Sequence, residues 1–212
     1  MPADRLARSR RAMLRATAAG VIAGVLSAGI GARVVMRLIA ILDPSTNGAF
    51  TDAEATVGEI TLEGSAQFLI FGSILGAVSG LVYLGLRRWL PVGKPWRGIA
   101  YGALTLVTIG QPLFDPANVD FQIFEPVIVV VALFAALFFL NGFVVAKLLD
   151  RWHPEPEYQA STRMPRITAG VLVIFLVLGS ILFAGGTIGL VEDQGSCLSA
   201  IGSGNGCAVA AD

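Results

Sequence analysis

Two arginines, Arg33 and Arg37, stand one helical turn apart inside a long apolar stretch. A guanidinium stays charged and presents a planar fork of donors, so this pair suits carboxylate pairing or anion binding. An arginine at the centre of a bilayer costs about 2.5–3.5 kcal/mol on insertion scales, so its partners should be close. Glu59 and Glu63, also four residues apart, lead into the next apolar stretch, and Asp115, Asp120 and Glu125 follow the third. The spacing predicts an outer charge network of Arg33, Arg37, Glu59, Glu63, Asp115 and Asp120. Such a network either ties the outer loops to the helices or forms an anion- or proton-handling site. Long side chains that snorkel to the headgroups without a partner are the third reading.

Asn141 is the clearest polar residue away from the ends of the apolar stretches. In lipid an amide seeks a neighbouring helix, a contact usually contributing about 1 kcal/mol or less. Gln111 and Tyr101 are candidate partners, and a place on a substrate path is the sharper alternative. Cys197 and Cys207 flank nine residues rich in Gly and Ser. A disulfide closing that loop is expected in an oxidising exterior, against two free small residues in a tail. No C-x-x-C pair is present.

The absences are informative. His153 is the one histidine, in a loop beside Pro154, which excludes a bis-histidine haem, a His-rich metal centre and a Ser–His protease within the membrane. No G-x-x-x-x-G-K-[ST] loop occurs, and no βαβ pattern surrounds the Gly-rich stretches, so neither a P-loop nor a dinucleotide fold is expected. The expectation is a non-enzyme with no catalytic, cofactor-binding or metal-binding residue and no nucleic-acid partner.

The elements that must position these groups follow from composition. The chain has 212 residues, 55% hydrophobic and 14% charged, with a mean hydropathy of +0.73. Soluble domains carry about 25% charged residues. Apolar residues fall in five blocks, 13–42, 65–86, 98–114, 126–149 and 167–190. A helix needs roughly 20 residues to cross about 30 Å of hydrocarbon, and only the third block falls short. Thirteen of the fifteen Lys and Arg lie in the N-terminal arm, after block two and around the end of block four. The segments after blocks one, three and five are acidic and hold neither. Positive loops stay in the cytoplasm, so the alternation predicts five crossings with the N-terminus inside and the C-terminus outside.

The expected architecture is an all-α integral membrane bundle of five transmembrane helices, occupying 13–190. A cytoplasmic basic arm (1–12) precedes it and an extracytoplasmic tail (191–212) follows. Asp43-Pro44, Asn47-Gly48 and the alternating Thr56–Leu62 suggest a short structured loop between helices 1 and 2. Gly72, Gly76 and Gly80 recur every four residues in block two, as do Gly20, Gly24, Ala28 and Ala32 in block one. That spacing lets another backbone approach along one helix face. The stripes either pack the bundle internally or make a homo-oligomer contact. The bulkier blocks four and five are expected to face lipid.

Ser9-Arg10-Arg11-Ala12-Met13-Leu14-Arg15 also resembles a twin-arginine export signal. The unbroken apolar run to Leu42 favours a retained helix instead. Four segments carry a wider resemblance: Gly31-Ala-Arg-Val-Val-Met-Arg-Leu-Ile-Ala, Thr56-Val-Gly-Glu-Ile-Thr, Arg87-Arg-Trp-Leu-Pro and Asp115-Pro-Ala-Asn-Val-Asp-Phe. The chain resembles uncharacterised multi-pass membrane proteins of actinobacterial type. That resemblance implies a membrane bundle and no particular activity. The functional expectation is a small bacterial inner-membrane scaffold, sensor or accessory subunit, partnered by the bilayer and by a second copy or another membrane protein. The alternative is a small transporter or channel with an outer charged vestibule.

Overall fold

A computed structural model describes residues 2–46, 48, 62–87, 89–90, 94–110, 113–114, 127–152, 174 and 177–189. Among these every regular element is helical. Helix α1 spans Pro2–Gly24, a π-helical segment Val25–Gly31, and α2 Ala32–Leu42; they run on as one rod. A 3₁₀ turn (Pro44–Thr46) follows. Then come α3 (Leu62–Leu86), α4 (Lys94–Ile109) and α5 (Val127–Trp152), and a short apolar helix α6 (Val177–Gly189).

Three helical stretches are long and apolar enough to cross a membrane: Ser9–Leu42, Gly64–Leu86 and Val127–Trp152. They match the first, second and fourth apolar blocks. The basic arm is helical from Pro2, because Arg, Ala and Leu are strong helix formers and no Gly interrupts them before Gly20. At the other end, Asp43 Oδ1 accepts from the Ser45 backbone N–H (3.1 Å) and from its hydroxyl (2.5 Å). This local turn competes with another helical turn and stops the rod. Helix α4 has 16 residues, roughly 24 Å of helix, shorter than the hydrocarbon core. It ends at Gly110, whose carbonyl accepts from the Leu113 N–H, and the chain turns there to bury Phe114.

The α1–α3 contact is backbone on backbone. A methyl added at Gly20 would strike the Gly76 carbonyl, one at Gly24 the Gly72 carbonyl, and one at Gly80 the Ala16 carbonyl. The pairing order shows that the two helices are antiparallel. In lipid, burial gives no hydrophobic gain, so close approach of this kind supplies the dispersion energy that holds helices together. Helices α4 and α5 repeat the device. A Cβ at Gly98 would lie 2.7 Å from Phe143 Cα, and one at Gly142 would strike the Gly98 carbonyl. They too are antiparallel.

Helix α5 packs on its neighbours along one stripe, and the rest of its surface faces outward as expected for block four, only 17% of its apolar stretch being buried. Its Gly142, Val145, Ala146 and Leu149 are buried, while Ile128, Leu140 and Phe143 remain exposed. The small residues Gly142 and Ala146 open a contact stripe that the bulky flanking residues conceal in the composition. Helix α6 lies mostly exposed, with Gly179 against Val107 and Phe183 edge-on to Phe114 at 5.1 Å. It runs parallel to α4.

Two apolar clusters fill the bundle. One gathers Ala16, Ala19, Ala23, Tyr83, Tyr101, Val145 and Leu149. The other gathers Val35, Ile39, Leu106, Phe114, Val127 and Val130. Between them lies a polar layer.

Candidate functional site

Four helical elements each contribute one polar side chain to that layer. Ser27 comes from the π-helical segment, Ser79 from α3, Tyr101 from α4 and Asn141 from α5. The Asn141 amide nitrogen donates to Ser27 Oγ (3.2 Å), and Ser79 Oγ donates to the Asn141 amide oxygen (2.9 Å). Tyr101 Oη donates to the Ser79 carbonyl oxygen (2.8 Å) and stands 3.1 Å from its hydroxyl. Ser27 in turn donates to the Ala23 carbonyl at 2.7 Å. With each hydroxyl used once as donor, Ser27, Ser79 and Tyr101 serve the Ala23 carbonyl, the Asn141 amide oxygen and the Ser79 carbonyl, and the 3.1 Å approach of the two hydroxyls is a contact without a proton of its own.

Local sequence explains the placement. Ser79 stands one residue before Gly80, on the α3 surface that small residues bring close to α1. Ser27 lies among small neighbours (Ala23, Gly24, Ala28) where α5 reaches α1. Tyr101 is held by an edge-on contact with Tyr83, ring centroids 5.1 Å apart. These are neutral hydroxyl and amide groups. Their arrangement fixes helix positions and carries no general base or nucleophile pair.

Arg33 is 8% exposed, with its guanidinium over the Phe68 ring of α3, 4.9 Å from the centroid. A desolvated cation over an aromatic face gains about 2 kcal/mol, which offsets part of the cost of burial. Arg37, one turn on, is exposed. Of the carboxylates assigned to the same network, Glu59, Asp115 and Asp120 lie outside the described residues, as does the Glu63 side chain. Gln111, Cys197, Cys207 and most of the 43–64 loop also lie outside them. Among the described residues no group of three or more His, Cys, Asp or Glu is disposed to hold a metal ion.

At the opposite end of the rod, Arg15 Nη1 donates to the Trp152 carbonyl at 2.6 Å. This satisfies an open carbonyl at the C-terminus of α5, where a positive charge also meets the negative end of the helix dipole.

The structure brings Gly20, Gly24, Gly72, Gly76 and Gly80 together along one seam and places Asn141 in the polar layer. Sequence reasoning missed Ser27 and Ser79 as Asn141's direct partners. It also missed the second seam, although Gly98-x-x-x-Gly102 carries the same four-residue signal as block two. Serine among Gly and Ala offered no comparable signal. No family model, curated protein or solved structure matches the chain.

Proposed function

We propose that the chain is a small bacterial inner-membrane protein that works without catalysis, as a helical scaffold or accessory subunit for other membrane components. It crosses the bilayer five times, N-terminus in the cytoplasm and C-terminus outside. The alternation of basic and acidic segments supports this topology, as do the antiparallel α1–α3 and α4–α5 pairs and the parallel α4 and α6. The main support for the structural role is the Ser27–Asn141–Ser79 bridge. It pairs three interior polar side chains with one another, in the middle of helices already in backbone contact. On this reading the chain sits with the actinobacterial-type multi-pass proteins that its Gly31–Ala40 and Thr56–Thr61 segments resemble.

A second reading draws on Arg33, a cation 8% exposed within an apolar span. Intramembrane charges often mark ion or substrate paths, so a small transporter with an outer charged vestibule is the alternative. Reconstituted liposomes separate the two. The scaffold reading expects fluxes of protons, potassium and small anions equal to those of protein-free vesicles, with Arg33→Gln no different. A protein-dependent flux that Arg33→Gln abolishes would overturn it in favour of transport.

A further inference from the structure

The buried stripe of α1 changes register at the π-helical segment. Along α1 it runs through Ala16, Ala19, Gly20, Ala23, Gly24 and Ser27. At 3.6 residues per turn its continuation is Gly31, Val34 and Leu38. Yet Val34 and Leu38 are 52% and 41% exposed, and the buried set of α2 is Ala32, Arg33, Val35, Met36, Ile39 and Ala40. The offset is between one and two residues. One residue of it has a visible cause in the backbone, where the Ala32 N–H donates to the Ser27 carbonyl, five residues back. A π-turn of this kind holds one position more than an α-turn.

Removing that extra position would turn α2 by about 100°, one residue's rotation. Each side chain beyond the segment would take the slot its successor now holds. Gly31, Ala32, Val34, Val35, Leu38 and Ile39 would then fill the packed slots. All are apolar. Arg33 would move to the exposed slot of Val34, and Arg37 to that of Leu38. Either register therefore presents an apolar face to the bundle, and only the observed one buries a charge.

We propose that Val25–Gly31 is a register switch, converting between π- and α-helical winding to carry Arg33 between the bundle interior and its surface. Gly29 and Gly31 keep the α-helical preference of the segment low. Ser27 anchors its inner end through Asn141 and through the Ala23 carbonyl. The Phe68 ring under the guanidinium favours the inward state.

The test uses the full chain in lipid nanodiscs with Cys197→Ser and Cys207→Ser. A single nitroxide is carried at Met36→Cys or Leu38→Cys, and collision with dissolved oxygen reads its exposure. Met36 is buried and gains the exposed slot of Arg37 on rotation; Leu38 is exposed and gains the buried slot of Ile39. Phe68→Leu raises exposure at 36 and lowers it at 38, equivalent to about a thirtyfold change in the ratio of registers. Arg33→Met in the same background abolishes that shift, because the ring acts through the cation. Deletion of Ile30 supplies the α-register reference; should the deletion fail to insert, the two point variants decide the matter by themselves. Exposure rising at both sites signals loosening and overturns the switch. So does no change in Phe68→Leu, or a shift that persists in the double variant.

Discussion

The Asn141 side-chain amide donates to Ser27 Oγ across 3.2 Å, joining the middle of α5 to the π-helical segment over 114 positions of sequence. Glycine seams set how close two helices come, but a stripe of hydrogen atoms tolerates sliding and rotation. A directional bond does not. The polar layer therefore selects the rotation of each helix, and the seams select the spacing.

Removing this bond should be measurable but modest. Asn141→Ala and Ser27→Ala each lower stability by about 1 kcal/mol, given that interhelical hydrogen bonds average about 0.6 and reach about 1.7 kcal/mol. Steric trapping in bicelles gives the values. The double variant should lose less than the sum of the singles, since both remove one bond; full additivity would show that the contact contributes nothing.

The seams predict a sharp contrast between two glycines of one helix. Gly76→Val forces the α1 and α3 backbones apart, because its Cβ would strike the Gly20 carbonyl, and costs about 2 kcal/mol or more. Gly85→Ala meets nothing within 4 Å and stabilises by about 1 kcal/mol or less through helix propensity. Thermal unfolding of the two variants checks the ordering.

Arg15 caps a helix that is not its own. Arg15→Ala exposes the Trp152 carbonyl and removes a favourable charge–dipole term of about 0.3–1 kcal/mol. Amide exchange in the last turn of α5 should quicken by about two- to fivefold, with the Val127 end unchanged. Uniform quickening along α5 would refute a capping role.

Orientation is open to reporter fusions. Alkaline phosphatase, active only outside the cytoplasm, should work when fused after residue 195 and fail when fused at 90 or 155. The reverse pattern would invert the charge-based topology, and activity at both 90 and 195 would remove a crossing.

Much of the fold was legible in the sequence because the bilayer imposes length. The first, second and fourth apolar blocks correspond to the three helices long enough to cross. The Gly72–Gly76–Gly80 spacing marked a face that meets Gly20 and Gly24. Other features lacked a local signature. Ser27 is one serine in an alanine- and glycine-rich run, and what makes it a partner of Asn141 is where α5 packs against α1. Arg33 and Arg37 share a spacing that suggests a common environment. The two differ because α2 buries one and exposes the other, a difference that depends on the rotation of α2. The π-helical segment sets that rotation, and a regular period cannot announce its own interruption. In block four the bulky Phe, Val and Leu face outward as their size suggests, and they conceal the contact stripe that Gly142 and Ala146 open.

The two glycine seams also bear on biogenesis. Each joins helices that are neighbours in the chain, α1 with α3 and α4 with α5, so each pair is a hairpin that a nascent chain can complete as it leaves the insertion machinery. Local pairings of this kind form early because they close short loops. The hydrogen bonds of Ser27 and Ser79 to Asn141 connect one hairpin to the other and must await the second. A ribosome stalled after α3 would thus leave a finished half in the bilayer, with two serines still waiting for their asparagine.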